Sequence, residues 1–199
     1  MKAILVGNFN EVIELCELCG IKIVGIIDNN INKTTSQYPI LGTDDDAKSL
    51  YSAYHTIPIV ITPDLPQIRK KLVEHYSAIG YSFLNVISPK AIISRSSVLG
   101  KGVVIQSGVN VSSDVVIGDF VKLNTNANVM HDCKVGDFST IAPNAVLLGR
   151  VKVECLCYIG ANSTTLPEVI INENVVIGAG AVVVGNIMAN RKVKGVPAK

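Results

Sequence analysis

Residues 116–151 read VIGDFVKLNTNANVMHDCKVGDFSTIAPNAVLLGRV, and their aliphatic residues recur every sixth position. Followed outward in both directions, the series holds at sixteen positions from Ile93 to Val183, and all but Thr165 are Ile, Leu or Val. Four residues after each lies a small or β-branched residue, as at Val103, Ala127, Cys133, Ser139, Ala145 and Cys157. A period of six matches neither the 3.6-residue turn of a helix nor the two-residue alternation of a flat sheet. It matches a parallel β-helix of hexapeptides, three to a triangular coil. One aliphatic side chain per face then fills the prism, and the small residue fits beside the corner. Sixteen hexads make about five coils, with no insertion breaking the register.

Upstream of Pro89 the pattern changes. KAILVG (2–7), IKIVGIID (21–28), TIPIVITP (56–63) and YSFLNVIS (81–88) read as strands. EVIELCELCG (11–20), DDDAKSLYSAY (44–54) and LPQIRKKLVEHYSAIG (65–80) read as helices, with NNINKTTSQYPILG as a polar loop. Gly20 closes the first helix, and acidic residues open the second. Alternating strands and helices imply a small parallel sheet with helices on its faces. Two domains are therefore expected, 1–88 and 89–199, the second ending in a C-terminal tail.

The 199 residues are 48% hydrophobic and 17% charged, which suits a chain with a sizeable core and excludes disorder. No apolar run approaches the ~18 residues of a membrane span. The longest, VVIGAGAVVVG at 175–185, holds three glycines. A formal charge of +2 without a basic block gives nucleic acid no footing. The first residues read as a strand and not as a signal peptide. Five Cys argue against a disulfide framework and for a reducing, cytoplasmic setting. Cys16 and Cys19 lie in an apolar-periodic helix, and no second Cys or His pair completes a metal site, so no metal is expected.

Several segments carry a resemblance. VISPKAIIS (86–94), VMHDCKVGDFSTIAPNAVLLGRV (129–151), IGANSTTLP (159–167), IGAGAVVVGNI (177–187) and the terminal GVPAK (195–199) resemble the bacterial sugar acetyltransferases of the left-handed β-helix hexapeptide class. That family includes sialic-acid O-acetyltransferases and UDP-4-amino-sugar N-acetyltransferases. The resemblance covers essentially the whole chain and implies a Rossmann-like α/β domain followed by a left-handed β-helix. It further implies acetyl-CoA as co-substrate, a sugar acceptor for surface-glycan synthesis, and a homotrimer.

Of the three His, only His131 lies in the repeats, two residues after Val129 and therefore at an outward corner. In steps of one coil, the same corner carries Arg95, Ser113, His131, Gly149, Pro167 and Gly185. Beyond His131 the column is small or flat, a groove for the pantetheine arm of acetyl-CoA. An imidazole titrating near neutrality suits the removal of a proton as an amine or hydroxyl attacks a thioester. Asp132, where the family often has Glu, is expected to hold the tautomer and raise the basicity. The family's acetyl-CoA contacts fall on Thr140, Ala161 and Ala179, the last two acting through backbone beside Gly178 and Gly180.

At the acceptor end the family's first loop is roughly G-x-G-G-H, and this chain has Gly7, Asn8, Phe9, Asn10 and Glu11. Fewer glycines and an added carboxylate weaken a phosphate cradle. Asp28 and Asn29 keep the place of the family's acidic pair, and Thr62 takes a position that is often Gly. Asn8 to Glu11, Asp28, Asn29 and Thr62 are thus the expected acceptor residues. Two other readings compete. A γ-type carbonic anhydrase needs three His on zinc, and the repeats carry one. A non-catalytic hexapeptide scaffold would keep the fold without the chemistry.

Overall fold

The computed structural model describes residues 1–30 and 37–199, so part of the polar loop expected over 29–42 lies outside the described residues. Two compact units are present: Met1–Asp64 with Ile68–Val86, and Ile87–Lys199 with Leu65–Gln67.

The first unit is built on four parallel strands, β1 (Lys2–Val6), β2 (Lys22–Ile27), β3 (Ile40–Gly42) and β4 (Ile59–Ile61), in the order β3-β2-β1-β4. Helix α1 (Asn10–Leu18) follows β1, α2 (Ala47–Tyr54) follows a 3₁₀ turn at Asp44–Asp46, and α3 (Pro66–Ile79) follows β4. Proline suits the first turn of α3, because the N–H it lacks has no partner inside a helix start. Strands β1 and β4 are near-continuous apolar runs, as strands covered on both faces must be.

The membership of this sheet differs from expectation. Residues 81–88 do not form its fourth strand. Phe83 makes a single bridge to Ile59, whose N–H and C=O are taken by Ser82 and Leu84. The run then ends, because Val86–Ile87 is the first strand of the β-helix and Ser88 N–H donates to Ile105 O at 2.9 Å. The fourth strand is instead β3, three half-buried residues paired to β2 at the opposite edge.

The second unit is a left-handed parallel β-helix with faces of seven, six and five two-residue strands. Partners are one coil apart: Val116 pairs with Lys134, Asn128 with Val146 and Thr140 with Tyr158. Each strand turns its second residue inward, and from Ile105 to Val183 every residue of the six-residue series is buried. Corners are closed by a residue with φ near +60°, from Asp114 through Asp132 to Asn174 at every sixth position. Asn and Asp tolerate this conformation well, whereas Phe120, Phe138 and Arg150 each adopt it at a cost of about 1–2 kcal/mol. Phe120 and Phe138 offset part of that by stacking, with centroids 5.4 Å apart. Beyond Val183 the step shortens, Val176 pairing with Lys192, and the tail folds back with Ala198 N–H on Val182 O at 2.8 Å.

Thr165 breaks the aliphatic series inside the prism. It is fully buried, and its hydroxyl has no hydrogen-bond partner among the described residues. Thr165→Val keeps the shape and removes the desolvated hydroxyl, so it is expected to stabilise the protein by about 1 kcal/mol. Urea denaturation checks this, and an unchanged or lower midpoint would show that the hydroxyl is satisfied. No helix among the described residues is long and apolar enough to cross a membrane.

Candidate active site

His131 stands on the turn between strands Asn128–Val129 and Lys134–Val135, with its side chain about half exposed. The coil bonds hold its backbone from both sides. Asp132 N–H donates to Ser113 O at 3.0 Å, and Arg150 N–H donates to His131 O at 2.9 Å. The left-handed φ of 59° at Asp132 swings its carboxylate back along the corner, where Oδ2 lies 2.8 Å from His131 Nδ1. A carboxylate only accepts, so the neutral imidazole carries its hydrogen on Nδ1 and leaves the lone pair on Nε2. Nε2 lies over Gly149, one coil further on. In the adjacent column Arg150 Nε is paired with Glu168 Oε1 at 2.9 Å, an exposed pair worth little to stability.

The residues expected to contact acetyl-CoA are not gathered at this corner. Ala161 and Ala179 stack at the next one, Gly180 N–H donating to Ala161 O at 2.8 Å. That corner joins the seven-stranded face to the six-stranded face, and the His131 corner joins the six-stranded face to the five-stranded one. The six-stranded face thus runs between the two. Its outward residues are Ile92, Asn110, Asn128, Val146, Thr164 and Val182, none charged, whereas the five-stranded face presents exposed Lys134 and Lys152. Thr140 departs from expectation: it lies on the seven-stranded face, fully buried, where it offers a ligand no surface. Gly178 is crowded, since a Cβ there would come 2.9 Å from Lys194 Cβ, so its bareness serves the packing of the tail.

In the first unit, the ends of β1, β2 and β4 bound a crevice of about 200 Å³ lined by Gly7, Phe9, Asp28, Asn29, Asp44 and Leu72, among others. Phe9 precedes α1 and is partly exposed, and Asn10 and Glu11 are exposed in its first turn. Asp28 turns its carboxylate to backbone, accepting from Asn8 N–H at 2.6 Å and Asn30 N–H at 2.8 Å. The carboxylate therefore occupies donors that a phosphate would seek. Asn8 and Thr62 are buried, and the Thr62 hydroxyl donates to Val6 O at 2.7 Å, so it braces the strand and does not face a ligand. Asp44 was legible only as a helix-start residue. Its carboxylate accepts from Tyr76 OH at 2.7 Å and Asn29 Nδ2 at 2.8 Å, and it fixes Asn29 at the crevice.

All five cysteines are free, and burial pushes the Cys16 thiol up to about 12 and the Cys157 thiol up to about 11. Burial also raises the Cys133 and Cys155 thiols, so these four stay protonated at neutral pH, and the buried Cys16, Cys133 and Cys157 act as packing. No group of three or more His, Cys, Asp or Glu able to hold a metal occurs among the described residues.

The sequence family described as bacterial transferase hexapeptide (six repeats) matches residues 114–149, the stretch that carries His131. The chain is also similar throughout its length to a histidine-to-alanine variant of GDP-perosamine N-acetyltransferase from Caulobacter crescentus, solved with CoA and GDP-perosamine. Identity is 30%, coverage 100% of this chain and 96% of that one, and the TM-score 0.95. The chain belongs to the bacterial hexapeptide sugar acetyltransferases. Further members of this family match as completely. The acetyltransferase domain of PglB from Neisseria gonorrhoeae is 28% identical over 100% of this chain and 98% of that one, with a TM-score of 0.93. WeeI from Acinetobacter baumannii is 26% identical over 100% and 99%, with a TM-score of 0.86. No match was found among curated protein sequences. As a sugar acetyltransferase the protein is an acyltransferase, which sets aside the scaffold reading.

Proposed function

We propose that the protein transfers the acetyl group of acetyl-CoA to an amino group on a nucleotide-linked sugar used in surface-glycan synthesis, with His131 as general base. The observation that carries this reading is the Nδ1···Asp132 contact at 2.8 Å, which leaves Nε2 as an acceptor on an exposed corner. Nε2 takes the proton of the acceptor amine as its nitrogen attacks the thioester carbon. The C–N bond forms, the C–S bond breaks, and the thiolate of CoA leaves. The pantetheine arm runs along Pro167 and Gly185, past the imidazole that lies over Gly149, and a Cβ at Gly185 would meet nothing within 4 Å. The solved relative with CoA and GDP-perosamine supports both substrate classes.

A single chain separates His131 from Ala161 and Ala179 by the width of one face. A homotrimer with the six-stranded face turned to the three-fold axis brings the His131 corner of one chain to the Ala161 corner of the next. The first unit, read as a Rossmann-like acceptor domain, would take the nucleotide at the ends of its strands, where open α/β sheets bind ligands.

The test is release of free thiol from acetyl-CoA with a panel of nucleotide-linked and free amino sugars. Turnover with an amino sugar is expected, and none with any acceptor would overturn the reading. Glu11 and the Asp28 carboxylate disfavour a diphosphate beside α1, so Glu11→His with Phe9→Gly is expected to tighten nucleotide-sugar binding several-fold. Equal affinity in the two proteins would show that the diphosphate is held elsewhere.

A further inference from the structure

We infer that Gly149 is a positioning residue for the imidazole of His131, the Cβ it lacks being the space in which the ring lies. The inference rests on the reading of His131 as the base. Gly149 is not required by its own backbone, because its φ is outside the left-handed region. The same corner position carries Arg95, Ser113 and His131 in earlier coils and Pro167 in the next, and Pro143 at a neighbouring corner. Side chains, and even proline, are accepted there. What distinguishes position 149 is the ring one coil before it. A Cβ at Gly149 would fall 2.6 Å from both Cε1 and Nε2 of His131 and 3.3 Å from Cδ2. Carbon atoms rest at about 3.5–4.0 Å, so the ring and a methyl group cannot share this place.

The floor itself cannot retreat. Arg150 N–H is bonded to His131 O at 2.9 Å, and Glu168 N–H to Gly149 O at 3.1 Å, which fixes the spacing of successive coils. Only the side chain is free to give way. The imidazole is thus held by two constraints, the Asp132 carboxylate at Nδ1 and the flat glycine under its opposite edge. Swinging the ring off Gly149 moves Nε2 and stretches the contact to Asp132. Because the atoms that must shift are the end of an exposed side chain, the consequence falls on catalysis and not on stability. Displacing a reacting group by about 1 Å can cost about 10²-fold.

The experiment is Gly149→Ala, read by steady-state kinetics, thermal unfolding and ¹⁵N NMR of the histidine side chains. In the parent, His131 is expected as the Nδ1–H tautomer. In the variant, kcat is expected to fall roughly 10–100-fold with KM for acetyl-CoA within about two-fold. The melting temperature should stay close to the parent's, and the His131 signal should become a tautomer mixture. In a His131→Ala background, Gly149→Ala should cause no further loss of rate. A variant with parental kcat and an unaltered tautomer would overturn the inference. If Gly149→Ala impairs folding, the His131→Ala background decides: recovery supports the seat, and a persistent defect refutes it. Should His131→Ala itself keep full activity, the base reading fails, while the tautomer measurement still decides whether Gly149 seats the ring.

Discussion

Replacing His131 with alanine should lower acetyl transfer by roughly 10²–10⁴-fold, the range that a positioned general base contributes. The fold should survive, because the side chain is about half exposed and the corner is held by backbone bonds to Ser113 and from Arg150. Among the described residues, no other group at this corner is placed to take the proton. The neighbouring columns offer Asp132, whose Oδ2 already faces Nδ1, and Arg150, which is paired with Glu168. Asp132→Asn should be milder, about 10-fold, since an amide oxygen can still accept from Nδ1–H while the charge is lost. Asparagine also tolerates the left-handed backbone at this position, so its effect will not be confused with strain. Thiol-release kinetics on folded variants provide the measurement. Near-parental turnover by His131→Ala would remove it from the mechanism.

The β-helix was readable because its packing rule is local and repeated. Each face contributes one aliphatic side chain per coil, so the pattern survives at Ile105, Leu123, Ile141 and Ile159 whatever surrounds it. The α/β unit was less readable, because its strand membership is decided by distant partners. Residues 81–88 carry the aromatic and aliphatic content of a strand, yet Val86–Ile87 belongs to the first coil of the β-helix. The short edge strand Ile40–Gly42 shows no alternation, being half-buried throughout. Thr140 shows a related limit: parity places it outward, but outward did not mean exposed. For His131 and Asp132, the spacing fixes the corner, and only the folded chain shows the direction of the ring. Eighteen residues on from His131 lies Gly149, groove space by its spacing alone, and in the structure the seat of the His131 ring.

For the proposed homotrimer, Val146→Lys should reduce the particle from about three times the 21.2 kDa chain mass to a single chain, and abolish most activity with it. Val146 is the fourth of the six outward residues on the six-stranded face, half-buried, and its strand pairs with the Asn128 and Thr164 strands. Three triangular prisms closed around a three-fold axis turn one face inward and touch through the two corners that bound it. The face between the His131 and Ala161 corners is the one whose outward residues carry no charge, which is what a face meeting its own copies requires. Three lysines at position 146 would converge on that axis, each losing water and each repelled by the other two. The prism interior is untouched, so circular dichroism should show the β-strand content intact. With the chains apart, His131 loses the corner that bears Ala161 and Ala179 of the partner subunit, and activity should fall by about 10²-fold or more. Val116→Lys on the five-stranded face, which already carries Lys134 and Lys152, is the matched control and should leave the mass unchanged. Light scattering at micromolar concentration decides the matter. A monomeric parent would refute the assembly outright. A Val146→Lys protein that remained trimeric and active would show that the chains meet through a different face.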